Sequence, residues 1–386
     1  MIALKSETSI DMTSNKNIAA VFTKNRLPET PFAIYPRNGD VISDSTVKLI
    51  GGTFNDPDND NHYRTYWKIR VVDQPYACSE YKSMFCYQSE STSLTSYVLT
   101  DLISGYKYAW MFGYQDPFTE EISWSDENYF IIGKLEKDDT LTLQKGESVL
   151  DYKMISFVHW FPESIGGKVF GANLENGYNP AITRIGTYAT LYGDYVEYAP
   201  DLWVAPGNSY WVLSRKDIPM PVIGVPVTTR YPVEIKLNFG KDGWNMIACP
   251  NKASYDWKKL QIICYDENGN SIDMEGQSLS SEKLYFLYEL SSTNKWISPE
   301  LWIWESGKYK QTSYLDPYKG YWVKVYQSNL YLRFIPEAQI STSHLRSKSY
   351  ERIDIDSPPQ PMNGFDDGVN GIGSGCFISV TAGELP

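Results

Sequence analysis

The chain has 386 residues, 15% of them aromatic, and carries a formal net charge of −12. A chain this acidic lacks the clustered Lys and Arg that a phosphate backbone requires, so nucleic acid is excluded as an expected partner. It contains no run of about 18 consecutive apolar residues, so no transmembrane span is expected.

The first segment, residues 1–27, predicts an incomplete β unit. Apolar residues on either side of Ser14-Asn15-Lys16 are typical of a hairpin, but two strands cannot bury a core alone. Through Ala20-Val21-Phe22 the stretch resembles the closing hairpin of internalin-type bacterial surface repeats. The resemblance implies that it is the remnant of an upstream β repeat, and that the parent protein extends upstream of Met1. No basic region followed by an apolar core, as in a signal peptide, is present at Met1 itself.

After a Pro-containing linker, residues 31–133 predict a β-sandwich. About seven short alternating strands are separated by turn signals, which is typical of two antiparallel sheets. The segment resembles a fibronectin type III domain in its early core Trp67, in its Leu102, Gly105 and Tyr108 spacing, and in Trp124-Ser125. That resemblance implies a spacer or adhesion role, with Tyr108 packed against the preceding loop.

Residues 143–336 contain one pattern twice. The recurring positions are apolar, aromatic or turn-forming, and they include no shared acid, base or metal ligand, which favours a scaffold. We predict two copies of an antiparallel β module, residues 143–230 and 231–336, the second with an insertion within 265–300. The arrangement resembles the Trp-rich tandem modules found near the C-termini of large bacterial secreted proteins. The matching positions are Met154-Ile155, Gly193, Tyr195, Pro206 and Tyr210-Trp211-Val212 in the first copy, and Met246-Ile247, Gly307, Tyr309, Pro317 and Tyr321-Trp322-Val323 in the second.

The tail, residues 338–386, is rich in Ser, Pro, Gly and Asp, and this composition predicts disorder. Its Gly-rich end, with Cys376-Phe377-Ile378, resembles the Cys-Phe-Ile C-terminal box of bacterial exported proteins. The resemblance implies a role for Cys376 in sorting or anchoring. The residues after Ile378 depart from the pattern of that box.

The loop 55–61 offers a candidate metal site. Asp56, Asp58 and Asp60 alternate with other residues, so their carboxylates can point to one centre, and oxygen ligands of this kind suit calcium. The alternative is a polar turn in which Asp and Asn side chains cap their own backbone. Apart from this possible structural calcium, no cofactor is expected.

The cysteines allow two interpretations. Cys78 and Cys86, and likewise Cys249 and Cys264, are close enough in sequence to form two local disulfides if hairpins align them. The alternative is a set of buried thiols, because strand register alone decides whether the Cβ atoms meet.

The tryptophans supply a possible ligand site. Trp302 and Trp304 share one strand face by the period of two, and an exposed face of this kind can stack on sugars. The alternative is that these rings pack in a core. Candidate catalytic groups are weaker, since His159 lies among apolar and aromatic residues and no nucleophile motif has the required context.

We therefore expect an all-β chain without enzymatic activity. The expected function is that of a C-terminal region of a bacterial secreted or cell-surface protein, which serves adhesion, spacing or presentation. Its partner would be a cell-surface or extracellular protein or a glycan. The alternative function is a carbohydrate-binding accessory region of a larger secreted hydrolase. A third possibility, an unrecognised enzyme, predicts polar side chains that converge where the two copies meet.

Overall fold

A computed structural model describes residues 24–72, the backbone of 86–91, and residues 95–174, 177–266, 270–279, 282–290, 294–340 and 357–365. The fold of this part is all-β, as predicted: its helical elements are one four-residue α-helix and five short 3-10 helices. Nowhere in these residues is a helix long and apolar enough to span a membrane.

The N-terminal unit is a sandwich of two sheets. One sheet has the order β1-β3-β6 and the other β2-β9-β7-β4-β5, with β8 paired to β7. All pairings are antiparallel except that of β2 with β9. This is the fibronectin type III-like sandwich expected from the sequence. Its strands are β1 (Ala33–Tyr35), β2 (Asp40–Ile42), β3 (Val47–Gly51), β4 (Arg64–Val71), β5 (Cys86–Ser91), β6 (Ser96–Leu99), β7 (Lys107–Gln115), β8 (Ser123–Trp124) and β9 (Asn128–Ile132).

The sandwich core is built from aromatic rings. Trp67 is fully buried and stacks on Trp110 and Phe112, with ring centroids 6.2 and 5.1 Å away. The Tyr108 hydroxyl accepts a hydrogen bond of 2.9 Å from the Ile103 backbone N–H. This bond ties Tyr108 to the loop before it, as the fibronectin resemblance implied.

The first module contains a four-stranded sheet of order β12-β16-β14-β15, a three-stranded sheet β10-β18-β13, and the pair β11-β17. Its elements are β10 (Glu136–Asp138), β11 (Thr142–Leu143), β12 (Lys153–Ser156), β13 (His159–Trp160), α1 (Gly166–Val169), β14 (Thr183–Ala189), β15 (Asp194–Glu197), β16 (Ser209–Ser214), β17 (Ile218–Pro219) and β18 (Val222–Pro226).

The second module repeats the four-stranded sheet as β20-β28-β25-β26, next to a larger sheet β19-β29-β22-β23 with β24 paired to β22, and a small sheet β27-β21-β30. Its strands are β19 (Val233–Leu237), β20 (Trp244–Ala248), β21 (Ser254–Asp256), β22 (Gln261–Tyr265), β23 (Ser271–Ile272), β24 (Tyr285–Phe286), β25 (Leu301–Glu305), β26 (Lys308–Thr312), β27 (Tyr314–Leu315), β28 (Gly320–Lys324), β29 (Leu330–Phe334) and β30 (Gln339–Ile340). The 3-10 helices of the two modules are Val149–Asp151, Gly171–Asn173, Trp257–Lys259, Leu287–Glu289 and Pro336–Ala338.

The duplication seen in the sequence is also a duplication of strand register. Met154 faces Trp211 across β12 and β16, and Met246 faces Trp322 across β20 and β28. The third and fourth strands also correspond, because Tyr188 pairs with Tyr195 and Trp304 pairs with Tyr309. The predicted duplicated antiparallel β module is therefore confirmed.

The tail differs from the prediction of disorder. Residues 339–340 form β30, and residues 357–365, which we call the tail segment, pack against both modules. The remaining tail residues, including Cys376, lie outside the described residues. Residues 1–23 of the predicted upstream remnant, which include all of its hairpin, lie outside them as well.

Candidate functional site

The acidic loop between β3 and β4 brings its three carboxylates together. One oxygen each from Asp56, Asp58 and Asp60 lies within 4.8 Å of the other two. Asp56 Oδ1 accepts hydrogen bonds from the backbone N–H groups of Asp58 and Asp60, at 2.7 and 3.0 Å. Asn59 has a φ of 60°, so the chain turns sharply inside the loop. The self-capping turn, one of the two interpretations of this loop, is therefore present.

A cation from the preceding segment already lies at this loop. Arg26 forms an ion pair with Asp58, with Nη2 and Oδ1 2.9 Å apart, and its backbone N–H donates to Asp58 Oδ2 at 2.7 Å. Asp56 is 6% exposed, and within the described part its Oδ2 has no hydrogen-bond partner. Calcium binding stays a prediction, supported by this buried oxygen and by an all-oxygen ligand set.

The expectation that Trp302 and Trp304 form an exposed binding face is wrong. They are 2% and 8% exposed and belong to the cluster that the two four-stranded sheets bury between them. Trp304 meets Trp211 of the first copy edge to face, with ring centroids 5.7 Å apart. Period-two alternation assigned them correctly to one face, but the other copy covers that face.

The predicted Cys249–Cys264 disulfide is also wrong. Both residues are free buried thiols, because Cys249 directly follows β20 while Cys264 lies on β22 of a different sheet. The Cys249 thiol donates to the Ala253 carbonyl at 2.8 Å. Burial raises the pKa of Cys264 to about 11, which makes it a poor nucleophile at neutral pH. Cys78 and the side chain of Cys86 lie outside the described residues.

A polar cluster around the buried Asp138 lies where β10 of the first module meets the second copy. The Asp138 carboxylate accepts a hydrogen bond of 2.6 Å from the Tyr318 hydroxyl and lies 3.0 Å from the Lys252 ammonium. Burial opposes ionisation of Asp138, but hydrogen bonds from Thr140, Tyr318 and Lys252 outweigh it and lower the pKa of this carboxyl. Asp138 is therefore ionised and joins the two copies.

His159 completes this cluster. It is 1% exposed, its Nε2 lies 3.7 Å from Asp138 Oδ2, and neither ring nitrogen has a hydrogen-bond partner among the described residues. Burial and the nearby Lys252 lower the pKa of His159, against the opposing effect of Asp138. The imidazole is therefore neutral near pH 7.

The sequence did not indicate the partners of this cluster. Asp138 lies in a charged run next to Asp139, and Tyr318 lies in a turn with a φ of 65°, so neither has a local motif. The polar groups do converge between the copies, as an enzyme would require. The Asp138 carboxylate is, however, already bound by the Tyr318 hydroxyl and the Lys252 ammonium of the second copy, which suits a structural junction.

No family model matches the sequence, and no curated protein matches it significantly. Among solved structures, the crystal structure of the chicken CNTN1 FN1–FN3 domains is similar at 12% sequence identity, covers 79% of this chain and 96% of that chain, and has a TM-score of 0.19. The resemblances to internalin repeats, Trp-rich modules and the Cys-Phe-Ile box stay predictions.

Proposed function

We propose that this chain is a non-catalytic, rigid spacer region of an exported bacterial protein, which holds other parts of that protein at a fixed distance on the cell surface. The observation that carries the proposal is the continuous packing between the sandwich and the modules. One hydrophobic cluster runs from Val47 in the sandwich to Ala338 at the end of the second module. Sandwiches of the fibronectin type are common building blocks of cell-surface proteins.

Polar contacts fix the orientation of the sandwich on the modules. Trp160 Nε1 of β13 donates to the Gly105 carbonyl at 3.1 Å, and the buried Lys107 ammonium lies 3.2 Å from Ser164 Oγ. The Tyr106 hydroxyl donates to the carbonyl of Pro232 at the start of the second copy. Buried bonds of this kind are costly to break without replacement, so they favour one relative orientation.

The two copies are fixed to each other in the same way. The Ser156 N–H and the Ala248 N–H donate to the Tyr318 and Gly207 carbonyls of the opposite copy, at 3.2 and 2.8 Å. Asp138 adds the polar cluster described above. These contacts support a stiff body more than a set of flexibly tethered domains.

Two measurements test the spacer proposal. Small-angle X-ray scattering of the full chain should match the profile expected for one rigid body over the described residues. Cell fractionation and protease treatment of intact host cells should place the protein outside the cytoplasm. A scattering profile that requires independently moving units, or a protein that stays entirely cytosolic, would contradict the proposal.

The carbohydrate-binding alternative now depends on a different ring. Trp203 is 41% exposed, and the Lys107 ammonium lies 4.6 Å from its ring centroid. A titration of Trp fluorescence with a polysaccharide panel separates the two functions. The spacer proposal expects no response, whereas quenching by one sugar that Trp203→Ala abolishes would favour the accessory role.

A further inference from the structure

The tail segment crosses the junction between the two module copies. It has neither helix nor strand, and its sequence contains Pro358, Pro359 and Pro361. Pro358 and Met362 are buried, whereas Ser357, Gln360 and Asn363 are exposed. The segment therefore presents one side to the modules and the other to solvent.

Equivalent tyrosines of the two copies bind the same point of the segment. Tyr195 and Tyr309 are the tyrosines of the Gly-x-Tyr turn that the sequence repeats. The Tyr195 hydroxyl donates to the Gln360 carbonyl at 2.7 Å and approaches the Pro359 carbonyl at 3.3 Å. The Tyr309 hydroxyl donates to that same Pro359 carbonyl. The segment thus lies where the two copies converge, and each copy supplies a donor.

Met362 fills a space that arises from a difference between the copies. Gly186 pairs with Trp211 in the first copy, and Trp302 pairs with Trp322 at the equivalent position of the second. The first copy therefore has glycine where the second has tryptophan. A Cβ atom on Gly186 would lie 2.4 Å from Met362 Sδ. The tail segment supplies the apolar group that the first copy lacks.

Further donors hold the end of the segment. Tyr152 donates to the Asn363 carbonyl at 2.9 Å, and Arg184 Nη1 donates to the Gly364 carbonyl at 2.5 Å. The Arg215 guanidinium lies 4.3 Å from the centroid of the Phe365 ring. In total, four main-chain carbonyls of the segment accept hydrogen bonds from the modules, and two of its apolar side chains, Met362 and Phe365, contact them.

This combination is typical of receptors for extended proline-containing peptides. Proline fixes φ and cannot donate a backbone hydrogen bond, so such segments are recognised through their carbonyls by aromatic hydroxyls and through pockets for apolar side chains. The low conformational freedom of the bound sequence also lowers the entropic cost of docking.

We propose that the junction of the two copies is a peptide-binding groove, that residues 357–365 are its intramolecular ligand, and that the groove accepts the same sequence in trans when the tail segment is displaced. The groove is lined by Tyr152, Arg184, Gly186, Tyr195 and Tyr309. A tether raises the local concentration of the ligand to the millimolar range, so the wild-type groove is filled by its own tail. The proposal does not depend on the spacer function.

The test uses the full chain with Met362→Asp, which places a charge in the apolar site and displaces the tail segment. A fluorescein-labelled peptide with the sequence of residues 357–365 is titrated by fluorescence anisotropy. We expect the peptide to bind this variant at least about tenfold more tightly than the wild-type chain, whose groove is occupied. Peptide in which Met362 is replaced by Asp should bind neither protein.

Three further variants keep the test decisive. Phe365→Ala displaces the tail segment by a milder change, and Gln360→Ala, which alters an exposed side chain, should behave as wild type. In the Met362→Asp background, replacement of both Tyr195 and Tyr309 by Phe should lower the affinity for the peptide by roughly tenfold. Absence of binding to both displaced variants while their circular dichroism stays native, or equal binding to wild type, would overturn the proposal.

Discussion

The two oxygens of the Asp56 carboxylate differ in their surroundings, and only one of them serves the turn. Its Oδ1 is used by the loop backbone, while its Oδ2 is buried without a donor among the described residues. A buried oxygen in this state is costly unless a cation or water satisfies it. Because Arg26 already lies at Asp58, calcium would have to share that carboxylate or displace the guanidinium.

We predict that calcium raises the melting temperature of the full chain, since a ligand that binds only the folded state stabilises it by mass action. Differential scanning fluorimetry in millimolar calcium measures the shift. Asp60→Asn should remove the shift, because the loop loses one of three carboxylates, whereas the exposed Asp44→Asn should retain it. An equal melting temperature with calcium, magnesium or chelator would leave the loop as a self-capped turn.

His159 predicts how stability depends on pH. Its pKa is lowered in the folded state, so as pH falls below the ordinary value of about 6.5 the unfolded chain takes up the proton first. The free energy of unfolding should therefore be highest above about pH 6.5, and it should decrease as the pH falls toward the pKa of His159 in the folded state. His62, whose pKa burial also lowers, adds to the same slope.

Urea denaturation between pH 7.5 and 5 measures this slope. His159→Gln should flatten it, because one proton-binding site of the unfolded chain is removed, and His62→Gln should flatten it independently. A slope that His159→Gln leaves unchanged would show that protonation of this ring is not coupled to unfolding.

At the level of elements, the tyrosine of the repeated Pro-x-x-x-Tyr block forms a hydrogen bond to the turn that precedes its strand. The Tyr210 hydroxyl accepts from the Ala205 N–H at 3.2 Å and the Tyr321 hydroxyl accepts from the Asp316 N–H at 2.7 Å, each five residues earlier. That N–H belongs to the residue directly before the proline. The spacing is therefore set by the reach of a buried tyrosine to the turn that precedes its own strand.

We predict that Tyr210→Phe and Tyr321→Phe each lower the free energy of unfolding by about 1 to 3 kcal/mol, because a buried N–H loses its acceptor. Urea denaturation measures the change, and Tyr326→Phe, at a 45% exposed ring, serves as the matched control. If Tyr326→Phe loses as much stability, the hydrogen bonds of Tyr210 and Tyr321 do not stabilise the fold in the way proposed.

The same elements show how far a sequence pattern predicts a sheet. The recurring Met-Ile and Tyr-Trp-Val blocks predicted the paired strands. Two sheets with the same strand register bury the same positions, so they require similar residues at those positions. They could not predict what covers β25, whose residues from Leu301 to Trp304 are buried on both sides. A period of two identifies two faces, and only the packing of the copies decides that neither meets water.

For the whole molecule, the orientation of the sandwich depends on Gly105. This residue has a φ of +88°, and a Cβ atom there would lie 2.6 Å from the Thr228 N of the first module. Its carbonyl accepts the Trp160 hydrogen bond described above. A side chain at this position would force the two units apart.

We predict that Gly105→Ala destabilises the chain more than Gly276→Ala, which has a φ of +83° but no atom within 4 Å of its Cβ position. Gly276→Ala measures only the cost of placing an alanine at a positive φ, about 1 to 2 kcal/mol. The additional loss in Gly105→Ala then measures the damage to the interface. Urea denaturation gives the difference, and limited proteolysis of the connection near residue 134 should accelerate in Gly105→Ala alone. Equal losses in both variants would argue against a fixed interface.

Tail docking was beyond prediction from the sequence. The composition of residues 338–386 is that of a disordered chain, and its two anchors, Met362 and Phe365, are too few to form a recognisable pattern. Their site is made by residues such as Gly186 and Tyr309, which are remote in sequence. Local composition reports whether a segment folds alone, whereas this segment folds onto a surface made elsewhere.

The missing side chain at Gly186 also has a consequence during translation, while the chain is still incomplete. The ribosome releases the first copy long before residues 357–365 emerge, and contacts between such distant parts of the chain form late. Until then, the first copy carries an uncovered apolar hollow at Gly186. A nascent chain that stalls in the second copy would keep this hollow exposed, and it would be a natural target for a chaperone.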